Sequence, residues 1–203
     1  MKKIIICNIP MRESEEKYTY KNSDLSLKTI ETPTYFPINA FLGANLSKDD
    51  EVKVLLLTKK DGQEKSKQNI ANFIDEFMSL NEGCKVEYKI IETDYSELQI
   101  VHETLLSKII DEIEEDSQIY ADITYGPKDL PIVIFAALNF AERYLHCDIE
   151  NILYGKATFV NGKPTQTELC DMVPLYYLNS ATNTIRCEDP KKARELLKEL
   201  LSI

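Results

Sequence analysis

Histidine is nearly absent from this chain: His102 and His146 are the only two in 203 residues, and His102 has no ligand-spaced partner, so no metal site is expected. Paired cysteines are missing as well. The five that occur, Cys7, Cys84, Cys147, Cys170 and Cys187, include no CxxC pair, and an odd count without a signal-peptide pattern argues against a disulfide framework. Buried, inert thiols and a cytoplasmic location are the expectation. No apolar run approaches the roughly 18 residues needed to span a bilayer, so no membrane partner is expected. Neither a GxGxxG fingerprint nor a Walker loop occurs. Positive charge is also short: 24 lysines and arginines against 34 acidic residues leave a net charge of −10. General attraction to DNA, RNA or an acidic surface is thereby excluded, and any anion site must be local. With no linker, low-complexity tract or internal repeat, residues 1–203 read as a single domain.

Four short apolar runs are present: "KIIIC" at 3–7, "VKVLLLT" at 52–58, "KVEYKII" at 85–91 and "IYADIT" at 119–124. Their richness in Ile, Val and Leu predicts strands covered on both faces, as in a parallel sheet. Between the later runs, Ile70, Phe73, Ile74 and Phe77, then Leu98, Val101, Leu105, Ile109 and Ile113, recur at helical spacing. Strand and helix in alternation mean right-handed crossovers, hence an α/β, Rossmann-like, mainly parallel sheet flanked by helices. The first crossover differs, because residues 10–50 hold far more than one helix. They read as an insertion, with a hairpin or flap around Asn22-Ser23-Asp24 and a short helix with Pro37 in its first turn. Tyr18, Tyr20 and Tyr35 of this insertion either stack on a ligand or pack the flap.

Residues 150–203 predict a C-terminal β-hairpin and two closing helices. A fifth strand, "NILYG", leads into alternating segments around Asn161-Gly162, and the last helix carries Leu196, Leu197, Leu200 and Leu201 as an amphipathic cover. "LPIVIFAALNFAERYL" is apolar on nearly every side until Asn139. One sheet buries one stripe of such a helix, so the rest is covered either by the C-terminal segment or by a second copy of the chain.

The stretch that carries chemistry is "YADITYGPKDLP", residues 120–131. It lies where the fourth strand passes into that helix, at the carboxyl edge of the sheet, where open α/β sheets bind ligands. Asp129 is placed to cap the helix and Pro131 to occupy its first turn. Gly126 allows close approach to the backbone, the helix-opening amides carry partial positive charge, and Lys128 adds a full charge, together a phosphate site. The same edge should hold Asn8, Pro10, Met11 and Arg12 after the first strand and Thr58, Lys59 and Lys60 after the second.

Asp122, Thr124, Tyr125, Gly126, Lys128 and Pro131 fit the pattern D-x-T-(H/Y)-G-x-(K/R)-x-x-P. With "NILYG", the first strand and "DMVPLYYLNSATN", the chain resembles the CARF family, the CRISPR-associated Rossmann-fold domains, as a stand-alone member. Tyr125 stands where many relatives have histidine, and Lys128 where many have arginine. The resemblance implies a homodimer that holds a cyclic oligoadenylate, tetra- or hexa-adenylate, across its two-fold axis, without cofactor or metal. That ring is the second messenger of type III CRISPR antiviral signalling. Its contacts would come from Asn8, Pro10, Met11, Arg12, Thr58 and Lys59, and from Thr124, Tyr125, Gly126, Pro127, Lys128 and Asp129 of the turn.

Two activities follow from the resemblance. A ring nuclease would use a ribose 2′-hydroxyl to attack the adjacent phosphate, with Lys128 stabilising charge and Asn8 or Thr124 positioning. A sensor or sponge would bind the ring uncut and act through a partner chain. The effector domains common in the family have no room here: Arg143 and His146 are too close for a HEPN ribonuclease motif, and "EYK" at 87–89 is ordinary strand alternation. The third reading, a domain for an ordinary nucleotide, lacks both the glycine fingerprint and an acidic ribose ligand where Thr58 and Lys59 stand.

Overall fold

The computed structural model describes residues 1–12, 16–22, 27–60, 64–160 and 163–201. Its centre is β1 (Lys3–Asn8), flanked in parallel by β3 (Glu51–Lys59) on one side and β5 (Gln118–Asp122) on the other. Beyond β3 lies β4 (Lys85–Thr93), and beyond β5 lies β6 (Asp148–Val160), both parallel. β7 (Lys163–Asp171) returns antiparallel to β6, and β2 (Lys21–Asn22) pairs with β7. The sheet order is therefore β2-β7-β6-β5-β1-β3-β4, an α/β Rossmann-like sheet whose winding reverses between β1 and β5. A reversal opens a crevice at the carboxyl ends of the two strands.

Alternation along β1 divides the core into two layers. Ile4 and Ile6 pack with Leu105 and Ile109 of α3 (Gln99–Ile110) and with Ile134, Ala137 and Leu138 of α4 (Leu130–Tyr144). Ile5 and Cys7 pack with Ile38 and Leu42 of α1 (Pro37–Asn45) and with Phe73 and Phe77 of α2 (Glu64–Leu80). β1 and β3 are buried on both faces, as their apolar runs predict. β4 is not: as the edge strand it alternates, with Ile90 exposed, because no further strand or helix covers its outer side.

The insertion after β1 folds back on the sheet. Tyr18 and Thr34 exchange backbone hydrogen bonds of 2.9 Å in an antiparallel bridge, and Thr167 Oγ1 donates to Thr19 O at 2.8 Å. Ser23 and Asp24 of the predicted turn lie outside the described residues, as do Asn161 and Gly162 between β6 and β7. Tyr20 is buried, and Tyr18 and Tyr35 are half-buried against the same core, which is packing of the flap. α2 fixes the insertion through Glu76, whose buried carboxylate accepts from the amides of Tyr35 and Phe36 (2.8 and 3.3 Å) and from Asn39 Nδ2 (3.1 Å). Lys17 Nζ lies 3.3 Å away. Those donors satisfy a charge that burial would otherwise penalise.

The predicted hairpin and two closing helices are present, yet their division of labour differs from expectation. α5 (Val173–Thr184) does the covering: Tyr176 is fully buried, sits edge-on to Phe135 of α4 and donates to Glu142 at 2.7 Å. α6 (Pro190–Leu201) has no buried residue, and Leu196, Leu200 and Leu201 are exposed, so the amphipathic cover expected of it is not made among the described residues. α4 buries one stripe and leaves Ile132, Phe140 and Tyr144 exposed. All five cysteines are free, with Cys7 and Cys147 buried and the other three half-buried. Among the described residues no helix is long and apolar enough to cross a membrane.

At Gly155, halfway along β6, an added Cβ would lie 2.4 Å from Pro37 Cγ and 3.3 Å from Thr124 Cγ2. The strand, α1 and the turn after β5 meet there, and the proline ring cannot move aside. Gly155→Ala is expected to destabilise the fold by about 1–3 kcal/mol, read from urea denaturation.

Candidate functional site at the carboxyl edge of β1 and β5

The last residues of β1 and β5 lie side by side, with Cys7 in register with Asp122 and Asn8 one step beyond. Asp122 is 1% exposed, and its Oδ1 accepts the amide of Thr124 at 2.8 Å, an Asx-type turn that bends the chain off the strand. Thr124 Oγ1 in turn accepts the amide of Gly155 at 2.8 Å, tying the bend to β6. Tyr125 turns into the insertion layer, edge-on to Phe36, with its hydroxyl 3.4 Å from Tyr35 O. Gly126 follows at φ +105°, a conformation L side chains rarely adopt.

Gly126 is pressed onto Asn8: a Cβ at this position would lie 2.5 Å from Asn8 Nδ2 and 2.7 Å from Leu130 Cδ2. Asn8 itself is 1% exposed. Its Oδ1 accepts a hydrogen bond from the Tyr95 hydroxyl, while its Nδ2 has no partner among the described residues. A buried donor left unpaired costs about 1–3 kcal/mol, so this amine is the strongest sign that something binds here.

The backbone supplies further donors, at positions other than those expected. The opening amides of α4 are already used: Leu130 donates to Pro127 O, Ile132 and Val133 to Asp129 O, and Pro131 has no N–H. The amides of Gly126 and Lys128 make no hydrogen bond among the described residues. The amides left free to meet a ligand therefore belong to the turn before the helix. Lys128 is exposed beside them.

Asp129 is not the cap that the sequence predicts. It makes no capping hydrogen bond and its backbone is already helical. Its Oδ2 instead meets His102 Nε2 of α3 at 2.5 Å, which joins the two helices and gives His102 its partner. Pro131 does occupy the first turn of α4.

The remaining candidates scatter. Pro10 is buried and its carbonyl accepts from Asn69 Nδ2 at 2.9 Å, as does that of Arg12 at 2.7 Å, so α2 anchors the segment after β1. Met11 and Arg12 expose their side chains. Thr58 is buried in β3, whereas Lys59 and Lys60 are exposed at its end. Pro127 is half-buried. The structure thus brings Gly126 against Asn8 and ties Thr124 to Gly155 at the carboxyl ends of β1, β5 and β6, and leaves the side chains of Met11, Arg12, Lys59 and Lys128 exposed. Tyr95 and Gly155 have no counterpart in the sequence reading. Tyr95 reaches Asn8 from the segment after β4, and nothing periodic marks it; Gly155 was visible only as the glycine that ends "NILYG".

Burial pushes the Asp122 carboxyl from 3.8 up to about 6, against the hydrogen bonds it accepts from Thr124 and the Ile38 amide. Burial likewise raises the Cys7 thiol, with the Asp122 charge adding to it, so Cys7 is no nucleophile at neutral pH. Among the described residues no cluster of three or more histidine, cysteine or acidic side chains is placed to hold a metal ion.

Fold and site together define a Rossmann-like domain with a donor-lined crevice at its topological switch point. No family model matches the chain. No curated protein matches it either. Among solved structures the chain is similar to Csm6 of Enterococcus italicus bound to cyclic hexa-2′-fluoro-hexa-dAMP, at 12% identity and a TM-score of 0.44. The alignment covers 99% of this chain and 55% of that one, so the chain spans about half of Csm6. The likeness is loose, and no residue of the site is assigned from it.

The folded state holds the Asp122 proton more tightly than the unfolded chain does. Its contribution to stability is therefore full below pH 3.8 and is lost as pH rises through about 6. The total is on the order of 3 kcal/mol. Urea titrations from pH 3.5 to 7 should show this fall in the wild type, and Asp122→Asn should remove it.

Proposed function

We propose that the protein binds a cyclic oligoadenylate, a phosphodiester ring, with the Asn8–Gly126–Lys128 crevice holding a phosphate. The observation that carries the reading is the buried, unpartnered Nδ2 of Asn8 facing a glycine in left-handed conformation. Free amides at Gly126 and Lys128 and the Lys128 ammonium add donors and charge of the right sign. The turn motif from Asp122 to Pro131, which resembles that of CARF domains, supplies the identity of the ligand. A net charge of −10 does not oppose it, because a few donors act within a Debye length of about 8 Å.

A ring with rotational symmetry calls for a symmetric receptor. Ile132, Phe140 and Tyr144 of α4 and Leu175, Tyr177 and Leu178 of α5 are exposed apolar side chains on two helices of one core layer. Two chains meeting there would bring two copies of the crevice to one ligand and double its local charge.

The finer proposal is that the ring is opened. A ribose 2′-oxygen attacks the neighbouring phosphorus, the bond to the 5′-oxygen breaks, and the 2′-hydroxyl proton passes through solvent to that leaving oxygen. The products are a 2′,3′-cyclic phosphate and a 5′-hydroxyl. The protein's part is to align the two oxygens and to stabilise charge on the phosphorane with Lys128, Asn8 Nδ2 and the turn amides.

Calorimetric titration with cyclic tetra- and hexa-adenylate, followed by chromatography of the nucleotide, tests both levels. Tight binding at one ring per two chains is expected, and Lys128→Ala should weaken it at least about tenfold through loss of a charge-assisted contact. Linear product ending in a 2′,3′-cyclic phosphate supports cutting, whereas an intact ring supports a sensor acting through a partner. Absence of heat with either ring contradicts the proposal.

A further inference from the structure

We propose that Tyr95 is the positioning residue of this site: its hydroxyl, by donating to Asn8 Oδ1, fixes which end of the carboxamide faces the Gly126 turn, and so makes the crevice a receptor for phosphate oxygen. The inference deepens the ring-binding reading and rests on it.

An asparagine side chain has an accepting end and a donating end of nearly equal size, and either can face a cavity. A phosphate oxygen offers only acceptors, so the site works in one of the two orientations. Tyr95 decides between them. A phenol that donates to Oδ1 leaves Nδ2 pointing away, which is where the structure has it, buried, unpartnered and against Gly126. Rotation of the amide would let the phenol oxygen accept an N–H, but it would leave the Tyr95 O–H without an acceptor among the described residues and would present an acceptor to the ligand.

Two properties of Tyr95 suit it to this task. Burial raises its phenol well above the ordinary value, so at neutral pH it remains an O–H donor. Its backbone is held at φ +49°, in the left-handed region that a bulky residue adopts only when its surroundings compel it. The segment after β4, an edge strand two places from β1 in the sheet, is bent so that one ring reaches Asn8. Packing alone requires no such bend, since the half-buried ring lies at the margin of the core.

The experiment follows the side-chain amide of Asn8 directly. In 15N-labelled protein its pair of signals is assigned by its loss in Asn8→Asp. AMP and cyclic hexa-adenylate are then added separately to wild type and to Tyr95→Phe. In the wild type the Asn8 protons should move downfield as Nδ2 gains an acceptor. In Tyr95→Phe the remaining amide spectrum should stay that of a folded protein, the melting temperature should fall by no more than about 10 °C as Asn8 Oδ1 loses its donor, the Asn8 response should vanish, and affinity should fall at least tenfold. A purely structural Tyr95 would leave the Asn8 response intact at saturation. Wild-type affinity in Tyr95→Phe, or a probe that binds wild type without moving the Asn8 pair, overturns the inference, as does a pair that neither probe moves. If AMP moves the pair and cyclic hexa-adenylate does not bind, the inference stands and the ring reading falls.

Discussion

A missing side chain governs this site. Gly126 lies so close to Asn8 that no residue with a Cβ fits without displacing the carboxamide or Leu130. That approach covers Asn8 at the end of the central strand, and the turn it opens at φ +105° leaves the Gly126 and Lys128 amides without a hydrogen bond among the described residues. Asp122 and Thr124 set the approach by gripping the bend from both sides, one through the Thr124 amide and the other through the Gly155 amide. The donors of the crevice thus depend on a bend held by hydrogen bonds within the turn after β5 and from that turn to β6.

The surroundings fit this arrangement. A doubly wound sheet changes its direction of winding between β1 and β5, and it leaves an open crevice at that place. Glu76 and Asn69 of α2 hold the described part of the insertion between β1 and α1 by its own backbone. In a chain with ten excess negative charges, affinity for an anion would have to come from a few short-range donors rather than from the field of the whole molecule.

Much of the fold was legible because burial on both faces leaves a plain mark. Ile4 to Cys7 and Val52 to Leu57 read as strands from composition alone, and they are the centre of the sheet. "KVEYKII" was read as covered on both faces like the others, and its alternating charges were the sign that it is the edge. The leucines of α6 predicted a face but not what it meets, since amphipathicity gives a direction and no address. In the site, Gly126 and Lys128 could be found because a strand-to-helix turn is a local pattern. Asp129 misled for the same reason: local rules make it a cap, whereas His102, 27 residues away, claims its carboxylate. Tyr95 and Asn8 are 87 residues apart, and a single hydrogen bond over that separation leaves no trace in spacing or composition.

The account stands or falls on where a phosphate sits. A crystal structure with cyclic hexa-adenylate carrying one phosphorothioate per linkage, phased on the anomalous signal of sulfur, would locate each linkage. The prediction is a sulfur or phosphate oxygen within hydrogen-bonding distance of Asn8 Nδ2 and the Gly126 amide in each of two symmetry-related chains. A ring seated elsewhere, with the Asn8 amine still unpartnered, would contradict it.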